Sequence, residues 1–135
     1  MVPIGLKLRN FMAYREAELD FQGIHLAVLT GENGAGKSSL LDAITWVLWG
    51  KARAKRDDEL IHLGQSEMEV EYTFGLGDNA YRLIRKRDAR KRGRSDLSFQ
   101  VADAGGWRNL TETSLRGTQQ KINQLSWNAS RILQL

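Results

Sequence analysis

The chain has no cysteine, a single proline and few aromatic residues, 8% of the total. Without cysteine there is no disulfide scaffold and no thiolate zinc site, and the two histidines, His25 and His62, are not spaced as a metal-binding pair. Long apolar runs are also missing; none approaches the ~18 residues needed to span a bilayer. The segment from Met1 to Lys7 lacks the basic-then-apolar order of a secretory signal, so the expectation is a cytoplasmic protein with no membrane partner.

What is present, 135 residues of which 41% are hydrophobic, fits one globular domain. A chain of this length buries roughly two-thirds of its unfolded surface, enough for a real core. The net charge of +4 is unevenly placed. Between Arg82 and Arg94 lie eight basic residues and one acid, Asp88, a local charge of +7 that leaves −3 for the rest of the chain. The basic character is a patch and not a property of the whole domain.

Hydrophobic periodicity sets out the elements. Leu6 and Leu8 alternate with Lys7 and Arg9, and Ala17 to Phe21 alternates again, which predicts a strand pair. Ile24 to Thr30 is nearly all apolar between Gly23 and Gly31, the pattern of a central strand covered on both faces. From Ser38 to Trp49 the period becomes helical. Leu40, Leu41, Ile44, Val47 and Leu48 share one stripe, Asp42, Thr45, Trp46 and Trp49 the other, and Gly50 is the stop. Both tryptophans are expected in the core, because a helix after a phosphate loop is covered on most sides.

Met68, Val70, Tyr72 and Phe74 alternate with Glu67, Glu69, Glu71 and Thr73, a half-buried strand. Gly75 to Asn79 supplies a turn, Tyr81 to Lys86 the antiparallel return, and Leu97 to Val101 a further strand. Thr111 to Leu125 predicts a last helix, capped by Thr111 or Thr113, with Leu115, Ile122 and Leu125 on its apolar stripe. The order implies an α/β core with an antiparallel β annex.

Directly after the apolar strand stands Gly31-Glu32-Asn33-Gly34-Ala35-Gly36-Lys37-Ser38, a complete GxxxxGK[ST] pattern opening into the helical stretch. A phosphate chain needs several backbone N–H groups turned inward, and glycines permit that close approach. The helix start adds free N–H groups and a partial positive charge. Lys37 then brings a full charge to the terminal phosphates, the Ser38 hydroxyl suits magnesium, and Ser39 is placed to donate to the α-phosphate. Nucleotide binding is the working expectation.

These residues resemble one branch of phosphate-loop proteins. Leu8-Arg9-Asn10-Phe11, Leu19-Asp20-Phe21 and the run from Thr30 to Ile44 look like the first half of an SMC-type ABC ATPase head. Trp46 to Arg53 and Ile61-His62-Leu63-Gly64 narrow the likeness to SbcC-type ATPases, the partners of the SbcD nuclease in double-strand-break processing. It runs from about Leu6 to Leu125 and divides the chain into a P-loop N-terminal lobe, residues 1–127, and a truncated or atypical tail, 128–135.

The resemblance implies ATP and Mg2+ as cofactors. Its implied partners are an SbcD-like nuclease, the C-terminal half of the head, a second head joined through bound ATP, and duplex DNA. For nucleotide contact it implies Met12 and Ala13, then Gly31, Asn33, Gly34, Ala35, Gly36, Lys37, Ser38 and Ser39, then Ile61, His62 and Leu63. Relatives often have a basic side chain where this sequence has Met12. The family's magnesium- and water-contacting glutamine falls at Gln134 by its spacing from Asn128, although the aromatic and small residues normally between them are missing.

ABC-type hydrolysis also needs an acidic pair closing an apolar strand and a signature loop from a second head. No four apolar residues followed by Asp-Glu occur here, and no Ser-Gly-Gly signature. The expectation is half a catalytic site, with Lys37 and Gln134 its catalytic residues. The alternatives are a truncated, non-catalytic nucleotide- and DNA-binding module, or a head fragment of another SMC/RecF-like or ABC ATPase. The basic tract has two readings: duplex DNA contact through Arg85, Lys86, Arg87, Arg90, Lys91 and Arg92, or a solvated hairpin edge whose cations discourage strand pairing.

Overall fold

Period-two alternation builds most of the molecule. The computed structural model describes residues 1–23, 34–90 and 92–133, with side chains for 1–22, 39–90 and 92–125. Its strands are β1 (Val2–Phe11), β2 (Tyr14–Asp20), β3 (Glu67–Leu76), β4 (Asn79–Asp88), β5 (Arg94–Asp103) and β6 (Gly106–Asn109). They form one six-stranded sheet in the order β2-β1-β3-β4-β5-β6, with every neighbouring pair antiparallel. The helices are α1 (Gly34–Trp49) and α2 (Leu115–Leu133), and a 3-10 turn covers Asp57–Leu60.

Among the described residues, the annex expected from the sequence is no separate layer. β1 pairs with β2 on one side and with β3 on the other, so the first hairpin and the later meander are continuous. The predicted apolar strand, Ile24 to Thr30, lies outside the described residues. Pro3 sits near the start of β1, where pairing with β2 has not begun, so its missing N–H costs the sheet nothing on that side.

The strand faces divide cleanly. Leu6, Leu8, Met68, Val70, Tyr72, Leu83, Leu97, Phe99 and Val101 turn inward and join Leu40, Ala43, Trp46, Val47 and Leu48 of α1 and Ile122 of α2 in one core. Phe74 stacks on Tyr81, its direct cross-strand partner, at 5.6 Å, and Tyr81 on Phe99 at 5.6 Å, so an aromatic row runs across β3, β4 and β5. The outward face carries Lys7, Arg9, Glu67, Glu69, Glu71 and Lys86.

Two local expectations need correction. Leu41, placed on the core stripe of α1, is 66% exposed, whereas Trp46, on the opposite stripe, is 0% exposed and Trp49 is 37% exposed. The buried arc of α1 is centred on Ala43, Trp46 and Val47 because sheet and α2 approach it from different sides. The cap of α2 is neither Thr111 nor Thr113 but Ser114, whose Oγ accepts from Gly117 N–H at 3.0 Å. Thr111 instead bonds the edge of β5, its Oγ1 accepting from Phe99 N–H at 2.9 Å. β6 was not anticipated: its four residues, Gly-Trp-Arg-Asn, are all exposed and show no apolar alternation. The backbone of α2 passes Trp127 without a break.

Candidate functional site

The second half of the glycine-rich motif is the start of a helix. α1 begins at Gly34, so Gly34, Ala35, Gly36 and Lys37 form its first turn, and that turn contains no acidic residue. Their N–H groups have no carbonyl four residues back within the helix, and no carboxylate of the turn offsets the positive end of the helix dipole. This is the arrangement a polyphosphate requires, and on backbone grounds the residues fit one. Gly31, Glu32 and Asn33 lie outside the described residues, as do the side chains of Lys37 and Ser38. Ser39 follows at 3% exposure, so α1 enters the core within two turns of the motif.

The far end of α1 is held as firmly. Gly50 has φ +71° and its N–H reaches Trp46 O at 2.7 Å, the left-handed stop that glycine makes without strain. Arg85, on β4, sends its guanidinium there: Nε donates to Val47 O at 3.3 Å, and an Nη2–H bonds Gln119 Oε1 of α2. Gln119 in turn donates through Nε2 to Leu48 O at 2.8 Å. The cation therefore faces the negative end of the helix, across the indole of Trp46 at 5.8 Å. Burial pushes the Arg85 guanidinium down to about 10, partly offset by nearby Asp57, and it stays charged at neutral pH.

Met12 and Ala13, and Ile61, His62 and Leu63, separated by some fifty positions, come together. Asn10 and Met12 both have positive φ, 54° and 51°, which re-aims the end of β1 and turns Phe11 into the core. The strand end is then stitched to the turn after Leu60: Met12 N–H donates to Leu60 O at 2.7 Å and His62 N–H to Asn10 O at 2.8 Å. His62 Nδ1 lies 2.8 Å from Met12 O. A carbonyl can only accept, so Nδ1 carries a hydrogen and donates it to Met12 O. Met12, Ile61 and His62 are half-buried, Ala13 is exposed, and Leu63 is 93% exposed. Sequence reasoning had no sign of the positive φ values, since neither residue is glycine.

The basic tract divides. Arg85 is 5% exposed and belongs to the interior network, so a phosphate-contacting role for it is withdrawn. Arg87 pairs with Asp58 at 2.8 Å and with Ser95 at 2.9 Å, and its guanidinium is held further toward the charged form by that Asp58 bond. Lys86 pairs with Glu69 at 3.3 Å; Arg90 bonds Asp88 and Glu67, Asp88 again favouring its charged form. Arg92 is exposed, and Lys91 lies outside the described residues. The glutamates of β3 also meet the cations of β1, Lys7 with Glu71 at 3.8 Å and Arg9 with Glu67 at 3.7 Å. Within the +7 tract, Lys86 and Arg90 thus meet glutamates of β3 and Arg87 meets Asp58, so part of its charge is offset in space.

Gln134 lies outside the described residues, although the helix that leads to it is described to Leu133. Among the described residues there is no group of three or more side chains able to hold a metal ion, and no helix is long and apolar enough to cross a membrane.

Comparison with known proteins gives a family model described as AAA domain, matched over residues 5–134. A Deinococcus radiodurans relative, named as the SbcC component of the SbcCD nuclease, is 37% identical over 130 residues, covering 93% of this chain and 14% of the relative. A Staphylococcus aureus protein of the same name is 32% identical over 148 aligned positions, 100% of this chain and 15% of that one. A Thermoplasma volcanium protein, DNA double-strand break repair Rad50 ATPase, is 37% identical over 96 residues, 70% of this chain and 10% of its own length. Among solved structures, that of the recombination mediator protein RecF with ATP superposes with a TM-score of 0.55 at 18% identity. It covers 78% of this chain and 28% of the RecF chain, a likeness of fold alone. The chain thus spans about one-seventh of the SbcC relatives it matches.

Proposed function

The chain belongs to the AAA domain family and is homologous to the N-terminal part of SbcC and Rad50, and on that premise we propose that it is the ATP-binding lobe of an SbcC-like DNA-repair ATPase. Membership in an AAA-type family implies nucleotide binding; ATP with Mg2+ is the finer reading. The observation that carries it is the opening of α1 inside the Gly31–Ser38 motif with no acid in its first turn.

In this reading the amides of Gly34 to Ser38 hold the phosphates, Lys37 neutralises their terminal charge, and Ser38 ligates magnesium. When bound, the metal spreads the negative charge of the phosphates. Met12, Ala13, Ile61, His62 and Leu63, gathered on one ridge, contact base and ribose, and Ser39 and Gln134 complete the contacts. The acidic pair and signature loop are supplied by a C-terminal half and a second head, with an SbcD-like nuclease as partner and a cytoplasmic location. Duplex DNA meets Lys86, Arg90, Lys91 and Arg92, and the carboxylate partners of Lys86 and Arg90 keep that affinity low and salt-sensitive.

Calorimetry with ATP and Mg2+ tests the reading. Expected are weak binding by the 135-residue chain, its loss in Lys37→Ala, and negligible turnover by either. Absence of binding heat with millimolar nucleotide, or steady Mg2+-dependent turnover that Lys37→Ala abolishes, overturns it.

A further inference from the structure

We propose that Arg82, Gln100 and Trp107 form a stacking platform for an unpaired nucleotide of single-stranded nucleic acid, apart from the phosphate loop and from the duplex surface assigned to Lys86, Arg90, Lys91 and Arg92. The three residues occupy the outward face of β4, β5 and β6. Arg82 and Gln100 are direct cross-strand partners, and Trp107 stands opposite Ala102, two residues farther along β5. Arg82 Nε donates to Gln100 Oε1 at 2.6 Å, and its Cζ lies 4.5 Å from the centroid of the Trp107 ring. The guanidinium is thereby fixed against an indole that is itself 39% exposed.

The charge pattern of the same face distinguishes this spot. Lys7, Arg9, Lys86, Arg90 and Arg94 each have a carboxylate partner, whereas Arg82 has none among the described residues. Its two terminal nitrogens and Gln100 Nε2 form no hydrogen bond there either, so donors without acceptors surround a flat aromatic surface. A matching ligand brings acceptor oxygens and a π-face together, which is the chemistry of a nucleotide: phosphate and base carbonyl oxygens beside a planar ring. A base inside a duplex has both faces covered by its neighbours, so the ring available to Trp107 is an unpaired one. An acidic protein segment would satisfy the donors but gain little from the indole.

Binding of a fluorescein-labelled oligo(dT) and of a blunt duplex of equal length, by anisotropy at low salt without ATP, tests the platform. Trp107→Ala is expected to weaken oligo(dT) binding about ten-fold and to remove most of the oligo(dT)-induced quenching of tryptophan emission. Trp107→Phe, which keeps a ring, retains most of the affinity; Arg82→Ala loses as much as Trp107→Ala; duplex affinity changes less than about two-fold. Unchanged oligo(dT) affinity in Trp107→Ala, an equal loss on both DNAs, or no oligo(dT) binding by the unmodified chain overturns the proposal. Because no ATP is present, each of these results leaves the phosphate-loop reading untouched.

Discussion

A guanidinium enclosed by apolar side chains needs partners for its donors, and Arg85 finds two of them at the C-terminal end of α1. The carbonyl of Val47 accepts one bond and Gln119 another, and the side chain packs against Trp46. Arg85→Met keeps much of the stem but leaves Gln119 Oε1 and a helix-terminal carbonyl without this donor. The expected loss is about 2–3 kcal/mol in urea unfolding, against less than about 0.5 kcal/mol for Lys86→Met on the exposed face. Gly50 belongs to the same arrangement, since a Cβ there would lie 3.3 Å from Arg85 Nη1 on a backbone at φ +71°. Gly50→Ala is expected to cost about 1 kcal/mol in the same assay. A run of arginines in sequence had suggested a uniform surface; cross-strand position separates Arg85 from its neighbours, because residues 83 and 85 face the core while 82 and 86 face outward.

At the scale of elements, both helix starts are fixed by local chemistry, with different success in reading them. The motif placed the start of α1 near Ser38, and the helix begins four residues earlier, at Gly34, because the glycine-rich half of the motif is itself helical. For α2 the cap expected at Thr111 or Thr113 falls instead on Ser114, a residue the sequence reading passed over. Side-chain directions decided it: Thr111 is engaged with Phe99, while Ser114 Oγ meets Gly117 N–H and Ser114 O meets Thr118 N–H at 3.1 Å. Ser114→Ala is expected to lower stability by about 1 kcal/mol and Thr113→Ala by a few tenths at most, measured as shifts in thermal midpoint. The β3–β4 hairpin was legible as an antiparallel pair, but its loop is Gly77-Asp78, tighter than the expected turn from Gly75 to Asn79, and both strands run on to meet it. Alternation sets both strands, and Gly77, with φ +62° at the first of two loop residues, gives the sign that a type II′ turn needs.

For the whole molecule, the relation between sheet and helices controls what the lobe can do alone. Both described helices pack on one face of the sheet, and the opposite face is an ion-paired surface ending at Arg82 and Trp107. The proposed function leaves the acidic pair and signature loop to a C-terminal half of the head and to a second head. Mixing the lobe with the C-terminal half of an SbcC relative is expected to produce Mg2+-dependent phosphate release that neither part shows alone; a mixture without turnover favours the non-catalytic module.

The linear sequence by itself determined the phosphate-loop motif, the period-two strands and the family, because each depends on residues close together in the chain. Only the tertiary structure decided that, among the described residues, the first hairpin and the later meander form one sheet, that Asn10–Met12 and Leu60–His62 form one ridge, and that glutamates of β3 pair with Lys86 and Arg90 of the basic tract. Those outcomes rest on strand order and register. They bring together residues dozens of positions apart, and no local pattern of hydrophobicity or charge encodes which strand lies beside which.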